Sequence, residues 1–315
     1  MATVVTRYPA NLLRLADLTP DQVVDLLDLA DRMAHDGADK WVDTFRGRSL
    51  AMIFEKPSTR TRVSFEAAAQ RLGMLPIALN PNELHLGRGE TIEDTARVLS
   101  RYAAAIVVRT FSQDLLGRMA GAASVPVINA LSDTHHPCQA LADPLTIRQL
   151  VGPLSGARLA YVGDGKDNVV HSLMEAAALT GMHLTIACPS GYRPSPAVEV
   201  STRHLATTTD ASIEVVAEPG DAVRAADAVY TDVWVSMGEE SMRDARMRTL
   251  IPYRVTPELM AQAKPGALFM HCLPAHRGEE VVDEVIDAPT SAVWQQAGNR
   301  LYTEQALLYR LILDS

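Results

Sequence analysis

Short apolar segments rich in valine and isoleucine alternate along this chain with longer segments of helical periodicity. Nine apolar segments predict β-strands at 49–54, 75–79, 105–109, 125–130, 158–162, 183–188, 213–217, 228–232 and 267–271. Strands that alternate with helices in this way form parallel sheets flanked by helices on both faces. The pattern therefore predicts the α/β fold class.

The first helical signal lies at 19–35, where apolar residues recur at spacings of three and four. Thr19 precedes this segment, Pro20 stands in its first turn, and Gln22 follows Thr19 by three residues. This spacing is typical of a reciprocal cap at a helix N-terminus. We expect an amphipathic helix that begins directly after Thr19.

The 315 residues are enough for about two domains, each with its own core. The strand series breaks near 133–152, where a helix entered through Pro137 separates four predicted strands from five. We predict a first domain over 1–135, to which a C-terminal helix at about 295–315 returns, and a second domain over 136–294. Ligands of open parallel sheets bind beyond the carboxyl ends of the strands. The predicted active site is therefore a cleft between the two domains at those ends.

The charge balance and the cysteines exclude several classes of protein. Lys and Arg number 29 against 38 Asp and Glu, a net charge of −9, whereas a general nucleic-acid binder needs widespread positive charge. No apolar run approaches the ~18 residues of a membrane span, and the N-terminal segment lacks a secretory pattern. Three widely spaced cysteines, Cys138, Cys188 and Cys272, do not form a disulfide framework. We expect a cytoplasmic protein with neither nucleic-acid nor membrane partners.

The segment after the first predicted strand has the chemistry of an anion site. Ser58 and Thr59 precede a helical stretch, so they can cap a helix whose N–H groups and dipole attract a phosphate. Side chains two residues apart on a helix diverge. We therefore assign Arg60 to the ligand and Arg62 to an ion pair with Glu66. The alternative is a capped surface helix with two solvated arginines.

Polar residues also stand at the ends of other predicted strands. Arg109 ends the third strand, His136 and Gln139 follow the fourth, and Cys272 follows the ninth. Because the carboxyl ends of parallel strands lie at one edge of a sheet, this agreement favours a ligand site.

A zinc site at His135, His136 and Cys138 is the competing interpretation of the fourth strand end. Pro137 interrupts these residues, and no second pair of ligands stands at the usual spacing. We therefore expect no metal, and the remaining alternative for His136 is a buried structural histidine.

Gly163 and Gly165 superficially resemble a dinucleotide-binding turn. Asn168 occupies the third glycine position, and the strand that follows ends without the acidic residue that holds a ribose. We expect no nicotinamide or other organic cofactor. Asn168, at a helix start, can instead offer its amide to a small polar substrate.

Four motifs together resemble the aspartate/ornithine carbamoyltransferase superfamily over essentially the whole chain. Residues 58–62 (Ser-Thr-Arg-Thr-Arg) resemble its carbamoyl-phosphate loop, and residues 136–139 (His-Pro-Cys-Gln) resemble its central signature. Residues 232–238 (Asp-Val-Trp-Val-Ser-Met-Gly) and 271–274 (His-Cys-Leu-Pro) resemble the ornithine branch.

The resemblance implies roles for individual residues. Those implied to bind carbamoyl phosphate are Ser58, Thr59, Arg60, Thr61, His85, Arg109, His136, Gln139, Cys272, Leu273 and Arg300. Those implied to bind ornithine are Asn168, Asp232, Ser236 and Met237. Those implied to be catalytic are Arg60, His136 and Cys272. His85 stands where many relatives have glutamine, in a loop at 80–90 that is implied to reach the site of a neighbouring subunit.

The implied reaction transfers the carbamoyl group of carbamoyl phosphate to the δ-amine of L-ornithine, giving L-citrulline and phosphate without metal or cofactor. Alternatives are a carbamoyltransferase for putrescine, lysine or an acylated ornithine, a catalytically silent protein of this fold, and a nucleotide-dependent oxidoreductase. The implied assembly is a homotrimer or a multiple of one. The sequence leaves open whether the reaction serves arginine synthesis or citrulline breakdown. It also leaves open whether Cys272 acts as a thiolate, as an orienting group or only as part of the wall of the site.

Overall fold

The computed structural model describes residues 7–80, 89–235 and 240–315. The chain forms two compact units, the first made of Met1–Ala142 with Gly298–Ser315 and the second of Asp143–Ala297. The functional division at 135/136, and the cleft expected between the domains, stay predictions.

A four-stranded parallel sheet forms the centre of the first unit. Its strands are β1 (Ser49–Phe54), β2 (Leu75–Leu79), β3 (Ala105–Arg109) and β4 (Val127–Leu131), in the order β2-β1-β3-β4. Leu50 of β1 pairs with Pro76 on one side and with Ala105 on the other. The register between β3 and β4 shifts between Val108 and Arg109, where β3 ends.

A five-stranded parallel sheet forms the centre of the second unit. Its strands are β5 (Arg158–Val162), β6 (His183–Ala187), β7 (Ser212–Val216), β8 (Ala228–Thr231) and β9 (Leu268–His271), in the order β7-β6-β5-β8-β9. Leu159 of β5 pairs with Leu184 and with Ala228, which makes β5 the middle strand.

Helices flank both sheets. They are α1 (Pro20–Asp36), α2 (Thr59–Arg71), α3 (Ile92–Leu99), α4 (Gln113–Ala122), α5 (Pro137–Leu150), α6 (Asn168–Thr180), α7 (Pro196–Ala206), α8 (Pro219–Val223), α9 (Arg243–Leu250), α10 (Pro257–Met260), α11 (Asp283–Ile286) and α12 (Val293–Asp314). Short 3-10 turns lie at Leu15–Asp17, Ala38–Lys40, Ser190–Tyr192, Glu240–Met242 and Ile251–Tyr253. The boundaries of the two units fall inside α5 and α12. No helix in the described part of the chain is long and apolar enough to cross a membrane.

The α/β prediction with parallel sheets is confirmed, and strands occupy all nine predicted positions. Thr19 caps α1 as expected, since its side chain accepts from the Gln22 N–H while its own N–H donates to Gln22 Oε1. The bounds of five strands differ from the prediction by one or two residues. At β4, for example, Pro126 has no N–H to donate to a neighbouring strand, and the strand begins at Val127.

The two cores follow from the strand pattern. β3, a central strand, is buried along its whole length, as an apolar strand inside a parallel sheet should be, and so is β4 at one sheet edge. β2 lies at the sheet edge and leaves Leu75 and Ile77 exposed. In the second unit, Ala160 on β5, Val229 on β8 and Phe269 on β9 belong to one buried cluster.

Candidate active site

The order of the first sheet brings several predicted site residues to one edge. β1 and β4 both neighbour β3, and all three strands are parallel. The segment leading to Ser58, the side chain of Arg109 and the segment leading to His136 therefore start from adjacent carboxyl ends.

The N-terminus of α2 has the predicted cap and the predicted division of its arginines. Ser58 is the cap residue, and its Oγ accepts from the Thr61 N–H at 3.3 Å. Arg62 is exposed and its Nε lies 2.8 Å from Glu66 Oε1, which confirms the expected ion pair. Arg60 lies on a different face and is half-buried. Thr59 is the first residue of the helix.

A cavity adjoins this helix N-terminus. It has a volume of about 730 Å³, and its lining includes Ser58 and Thr59 together with Glu55 and Arg62. The cavity therefore borders the cap residue on the side of Arg62, and the described residues that line it do not include Arg60, Arg109, His136 or Arg300.

Arg300, on α12, joins the same group from the far end of the chain. Its Nη2 donates to Thr61 Oγ1 at 3.0 Å, and its Nη1 donates to Gln139 Oε1 at 3.5 Å. Arg109 Nη1 also donates to Thr61 Oγ1, at 3.5 Å. Arg300, Thr61 and Gln139 are nearly inaccessible to solvent. The structure therefore brings these four predicted residues together.

His136 lies within the electrostatic field of these arginines. Burial holds the pKa of His136 well below its usual value, because the charged imidazolium loses its hydration. Three nearby guanidinium groups lower this pKa further, those of Arg300, Arg109 and Arg60. His136 is therefore neutral at pH 7 and can donate one hydrogen bond from its ring.

Sequence reasoning missed Glu304, which supports Arg300 one helical turn away. Its Oε1 lies 2.8 Å from Arg300 Nη2 and also accepts from Nε at 3.2 Å. Burial raises the pKa of Glu304 from its usual 4.5 to about 7, and the charge of Arg300 opposes this shift. The available signal was that Glu304 follows Arg300 by four residues, the spacing at which side chains on a helix are neighbours.

The second sheet brings Asn168, Asp232 and Cys272 to neighbouring strand ends in the same way. β5, β8 and β9 are neighbours, so their carboxyl ends are adjacent. Asp232 directly follows β8 and Cys272 directly follows β9. Asn168 comes after β5 as the first residue of α6, half-buried, with Asp167 as the helix cap.

Asp232 and Cys272 contact each other directly. The Cys272 Sγ donates to Asp232 Oδ1 at 2.9 Å, and the Val233 N–H donates to the same oxygen at 2.8 Å. Burial raises the pKa of Asp232, while nearby His271 and these two hydrogen bonds oppose the rise. A ligand cation bound to Asp232 would supply the positive charge that stabilises a buried carboxylate.

The environment of Cys272 favours the thiol over the thiolate. Burial raises the pKa of Cys272 well above its usual value, and the negative charge and hydrogen bond of Asp232 raise it further. A reactive thiolate requires the opposite, an electropositive environment. Cys272 is therefore protonated at pH 7 and directs its proton to Asp232.

Asp232, His271 and Cys272 are close enough to be considered for a cation, with candidate ligand atoms within 4.8 Å of one another. The Cys272 proton lies toward Asp232. Both ring nitrogens of His271 are engaged, Nδ1 by the Leu273 N–H and Nε2 by Glu280. The thiol and the imidazole of this group are therefore engaged by protein partners, and the second oxygen of the Asp232 carboxylate is the atom left to meet a cation.

His276, Glu279 and Glu280 form a second such group. Glu279 is paired with Arg243, and Glu280 is hydrogen-bonded to His271. His276 Nδ1, Glu279 Oε2 and Glu280 Oε2 are nevertheless buried without a hydrogen-bond partner among the described residues, so this group keeps atoms that a cation could contact. The absence of a metal stays a prediction.

Some predicted site residues cannot be placed. His85, Ser236 and Met237 lie outside the described residues. Leu273, predicted on carbamoyl phosphate, follows Cys272 in the second unit with a left-handed backbone, φ 57°.

Comparison with known protein families covers both units. The family described as "Aspartate/ornithine carbamoyltransferase, carbamoyl-P binding domain" matches residues 10–149. The family described as "Aspartate/ornithine carbamoyltransferase, Asp/Orn binding domain" matches residues 155–311.

Individual relatives match over nearly their whole length. The ornithine carbamoyltransferase of Methanothermobacter thermautotrophicus is 51% identical over 304 residues, 96% of this chain and 99% of the relative. That of Acidothermus cellulolyticus is 52% identical over 296 residues, 94% of each chain. The structure of ornithine carbamoyltransferase from Pyrococcus furiosus superimposes with a TM-score of 0.92 at 46% identity, covering 98% of this chain and 97% of that one. The chain therefore belongs to the aspartate/ornithine carbamoyltransferase family.

Proposed function

We propose that this protein transfers the carbamoyl group of carbamoyl phosphate to the δ-amine of L-ornithine, giving L-citrulline and phosphate. Relatives named ornithine carbamoyltransferase that are about half identical over almost the full chain support this reaction. The observation that carries it is the pair of site clusters, an arginine-rich one around His136 and a carboxylate–thiol pair at Asp232 and Cys272.

The cluster around His136 suits carbamoyl phosphate. Arg60, Arg109 and Arg300 supply positive charge for the phosphate, and the capped N-terminus of α2 supplies backbone N–H groups. As the amine attacks, negative charge develops on the carbonyl oxygen. Arg60, Thr61 and neutral His136 are the donors assigned to that oxygen, each worth ~3 kcal/mol when preorganised.

The pair at Asp232 and Cys272 suits the amino-acid substrate. The buried carboxylate of Asp232 takes the α-ammonium of ornithine, and Asn168 offers its amide. Because the thiol of Cys272 keeps its proton, we assign it the role of an orienting group rather than a nucleophile. The bond from the δ-nitrogen to the carbonyl carbon forms, the bond from that carbon to the phosphate oxygen breaks, and the proton that the amine loses passes to the leaving phosphate. The δ-amine must be neutral for this attack, so the site has to favour its deprotonated form.

The proposal extends to the pathway, the assembly and the location of the protein. Carbamoyl phosphate is a mixed anhydride, so its breakdown favours citrulline formation, the direction used in arginine biosynthesis, and citrulline breakdown stays the alternative. The exposed apolar edge strand β2 supports association between copies of the chain, and the resemblance implies that this assembly is a homotrimer or a multiple of one. The three free cysteines support a reducing, cytoplasmic location.

A panel of amines tests the proposed function. The purified protein is incubated with carbamoyl phosphate and one of ornithine, putrescine, lysine or Nα-acetylornithine, and the carbamoylated product is measured by mass spectrometry beside released phosphate. We expect ornithine to be preferred at least tenfold in kcat/KM, because Nα-acetylornithine lacks the α-ammonium that Asp232 is assigned to bind and putrescine lacks the α-carboxylate. Preference for another amine would replace the proposed substrate, and phosphate release without a carbamoylated product would refute the transferase function.

A further inference from the structure

Glu280 is a fully buried carboxylate that contacts the turn carrying Cys272. Its Oε1 accepts from the His271 ring at Nε2, 3.1 Å away, and from the backbone N–H of His276 at 2.6 Å. Glu280 has no measurable exposure to solvent. Burying a carboxylate is unfavourable unless it is hydrogen-bonded, so a neutral side chain would serve packing alone better.

The two hydrogen bonds of His271 define its tautomer. The backbone N–H of Leu273 donates to Nδ1 at 2.8 Å, so Nδ1 carries the lone pair. In a neutral imidazole the other nitrogen then bears the proton. Nε2–H therefore donates to Glu280, and His271 connects that carboxylate to the backbone of Leu273. The backbone N–H of His271 is fixed separately by Gln296 Oε1 at 3.0 Å.

Leu273 needs this support, because its backbone is left-handed with φ 57°. That region is unfavourable for residues with a Cβ and persists where surrounding contacts over-determine it. Cys272 lies between His271 and Leu273, so the imidazole bridges the backbone on both sides of the thiol. The Sγ of Cys272, which donates to Asp232, thus belongs to a residue whose two chain neighbours are connected by the imidazole.

A short turn brings Glu280 back to His271. The Glu279 N–H donates to the His276 carbonyl, and the Gly278 N–H donates to the Val281 carbonyl. Gly278 has φ 83°, which glycine adopts without strain. This geometry places the carboxylate of Glu280 beside the ring of His271, which precedes it by nine residues.

We propose that Glu280 is a positioning residue for carbamoyl transfer, which acts through the His271 imidazole to hold Cys272 and Leu273 in the orientation used with ornithine. The proposal rests on the proposed function. Glu280 itself touches neither substrate in this assignment. It selects the His271 tautomer that can accept the Leu273 N–H.

Two variants at Glu280 separate hydrogen bonding from packing. Glu280→Leu keeps the approximate volume and removes the acceptor, whereas Glu280→Gln keeps an amide oxygen that can accept the same two hydrogen bonds. We expect kcat/KM for ornithine to fall at least tenfold in Glu280→Leu and to stay within about threefold of wild type in Glu280→Gln. The Kd of carbamoyl phosphate should change less than twofold in both variants.

Glu279→Leu is the matched control, because it removes a carboxylate of the same turn that pairs with Arg243 instead of His271. Its kcat/KM for ornithine should stay within about twofold of wild type. Glu280→Leu with ornithine kinetics like those of the control, or Glu280→Gln as impaired as Glu280→Leu, would overturn the proposal.

A spectroscopic measurement decides the matter even if Glu280→Leu does not fold. In wild-type protein with ¹⁵N-labelled histidine, the His271 ring should give the signals of the Nε2–H tautomer, and Glu280→Gln should retain them. An Nδ1–H tautomer in the wild type would contradict the proposed bridge. This readout needs no turnover, so it distinguishes failure of the proposal from failure of the proposed function, which would appear as a wild type that forms no citrulline.

Discussion

Arg60, Arg109 and Arg300 all lower the pKa of His136, so the first unit concentrates positive charge around a neutral ring. The chain as a whole has a net charge of −9. This contrast makes the cluster a local attractor for a small anion within an acidic protein. In the second unit, the buried carboxylate of Asp232 is an acceptor suited to an ammonium group, and the half-buried thiol of Cys272 donates to it.

Arg60→Ala should lower kcat by at least ~10², because it removes a contact to the phosphate and one to the developing oxyanion. Steady-state kinetics at saturating substrates measure the effect, with circular dichroism to show that the fold is intact. Arg62→Ala is the matched control, since Arg62 is exposed and paired with Glu66 on the same helix. Near-normal turnover in Arg60→Ala would favour the alternative in which Arg60 is a solvated arginine on a surface helix.

Asp232→Asn preserves shape and keeps an oxygen for Cys272 and Val233, but it removes the charge assigned to the ornithine ammonium. Productive ornithine binding should weaken by ~2–5 kcal/mol, the range for breaking one side of a desolvated charge pair. Carbamoyl phosphate should bind almost as in the wild type. Separate titrations with the two ligands check this, and equal weakening of both, or of neither, rules out the assignment.

The raised pKa of Glu304 predicts a pH-dependent stability. Burial brings this pKa from 4.5 to about 7, so the folded state holds the proton more tightly than the unfolded state. The contribution of Glu304 is therefore fully present below pH ~4.5 and is lost as the pH rises through ~7, at most about 3 kcal/mol. The free energies of unfolding of wild type and Glu304→Gln, measured with denaturant from pH 5 to 8, should differ in how steeply they change with pH. Parallel curves would contradict the prediction, and Glu66→Gln controls for an exposed carboxylate.

At the scale of single elements, the site is built from strand ends and one helix N-terminus. The register shift before Arg109 ends β3 beside the segment that leads to α2. Ser58 caps α2 by accepting from the Thr61 N–H, and other N–H groups of the first turn have no acceptor within the helix. The dipole of the helix adds to the positive charge of the arginines.

Ser58→Ala should lower the free energy of unfolding by ~1 kcal/mol through loss of the cap. It should also weaken carbamoyl phosphate, because the anion site loses its fixed geometry. Ser112→Ala is a matched control, since Ser112 caps α4 of the same unit by accepting from the Leu115 N–H at 3.2 Å. Both variants should be destabilised to a similar degree, as measured by denaturant unfolding. Carbamoyl phosphate titrations that show equal affinity in the two variants would exclude a special role for the α2 N-terminus.

At the scale of the whole molecule, each unit carries its own sheet, its own core and its own group of site residues. The C-terminal helix α12 contributes Arg300 to the first unit, although the residues of the second unit lie between Arg300 and the earlier part of the first unit along the chain. The two functional clusters are thus built from residues far apart along the chain.

We expect the protein to sediment as three chain masses or a multiple of three. Leu75 and Ile77 on edge strand β2 are 62% and 38% exposed, an apolar surface that association would cover. Leu75→Asp with Ile77→Asp should weaken assembly and activity together. Val200→Asp, at an apolar position 69% exposed on α7, is the control. Analytical ultracentrifugation that finds a fully active monomer would exclude the trimer.

Local patterns in the sequence were sufficient for the fold class, the strand positions, the Thr19 and Ser58 caps, and the Arg62–Glu66 pair. Each depends on residues a few positions apart, and spacing alone decides which of them share a strand face, a helix face or a helix end. The resemblance carried by the motifs also pointed to Arg60, His136, Asp232 and Cys272.

The tertiary structure decided which of these side chains touch and what charge they carry. Arg300 reaches Thr61 across 239 positions, and Cys272 reaches Asp232 across 40. The neutral state of His136, the retained proton of Cys272 and the raised pKa of Glu304 all arise from burial. Burial depends on chain segments that are remote in sequence, and desolvation acts only once they have packed together. That is the physical reason why no local pattern could report these properties.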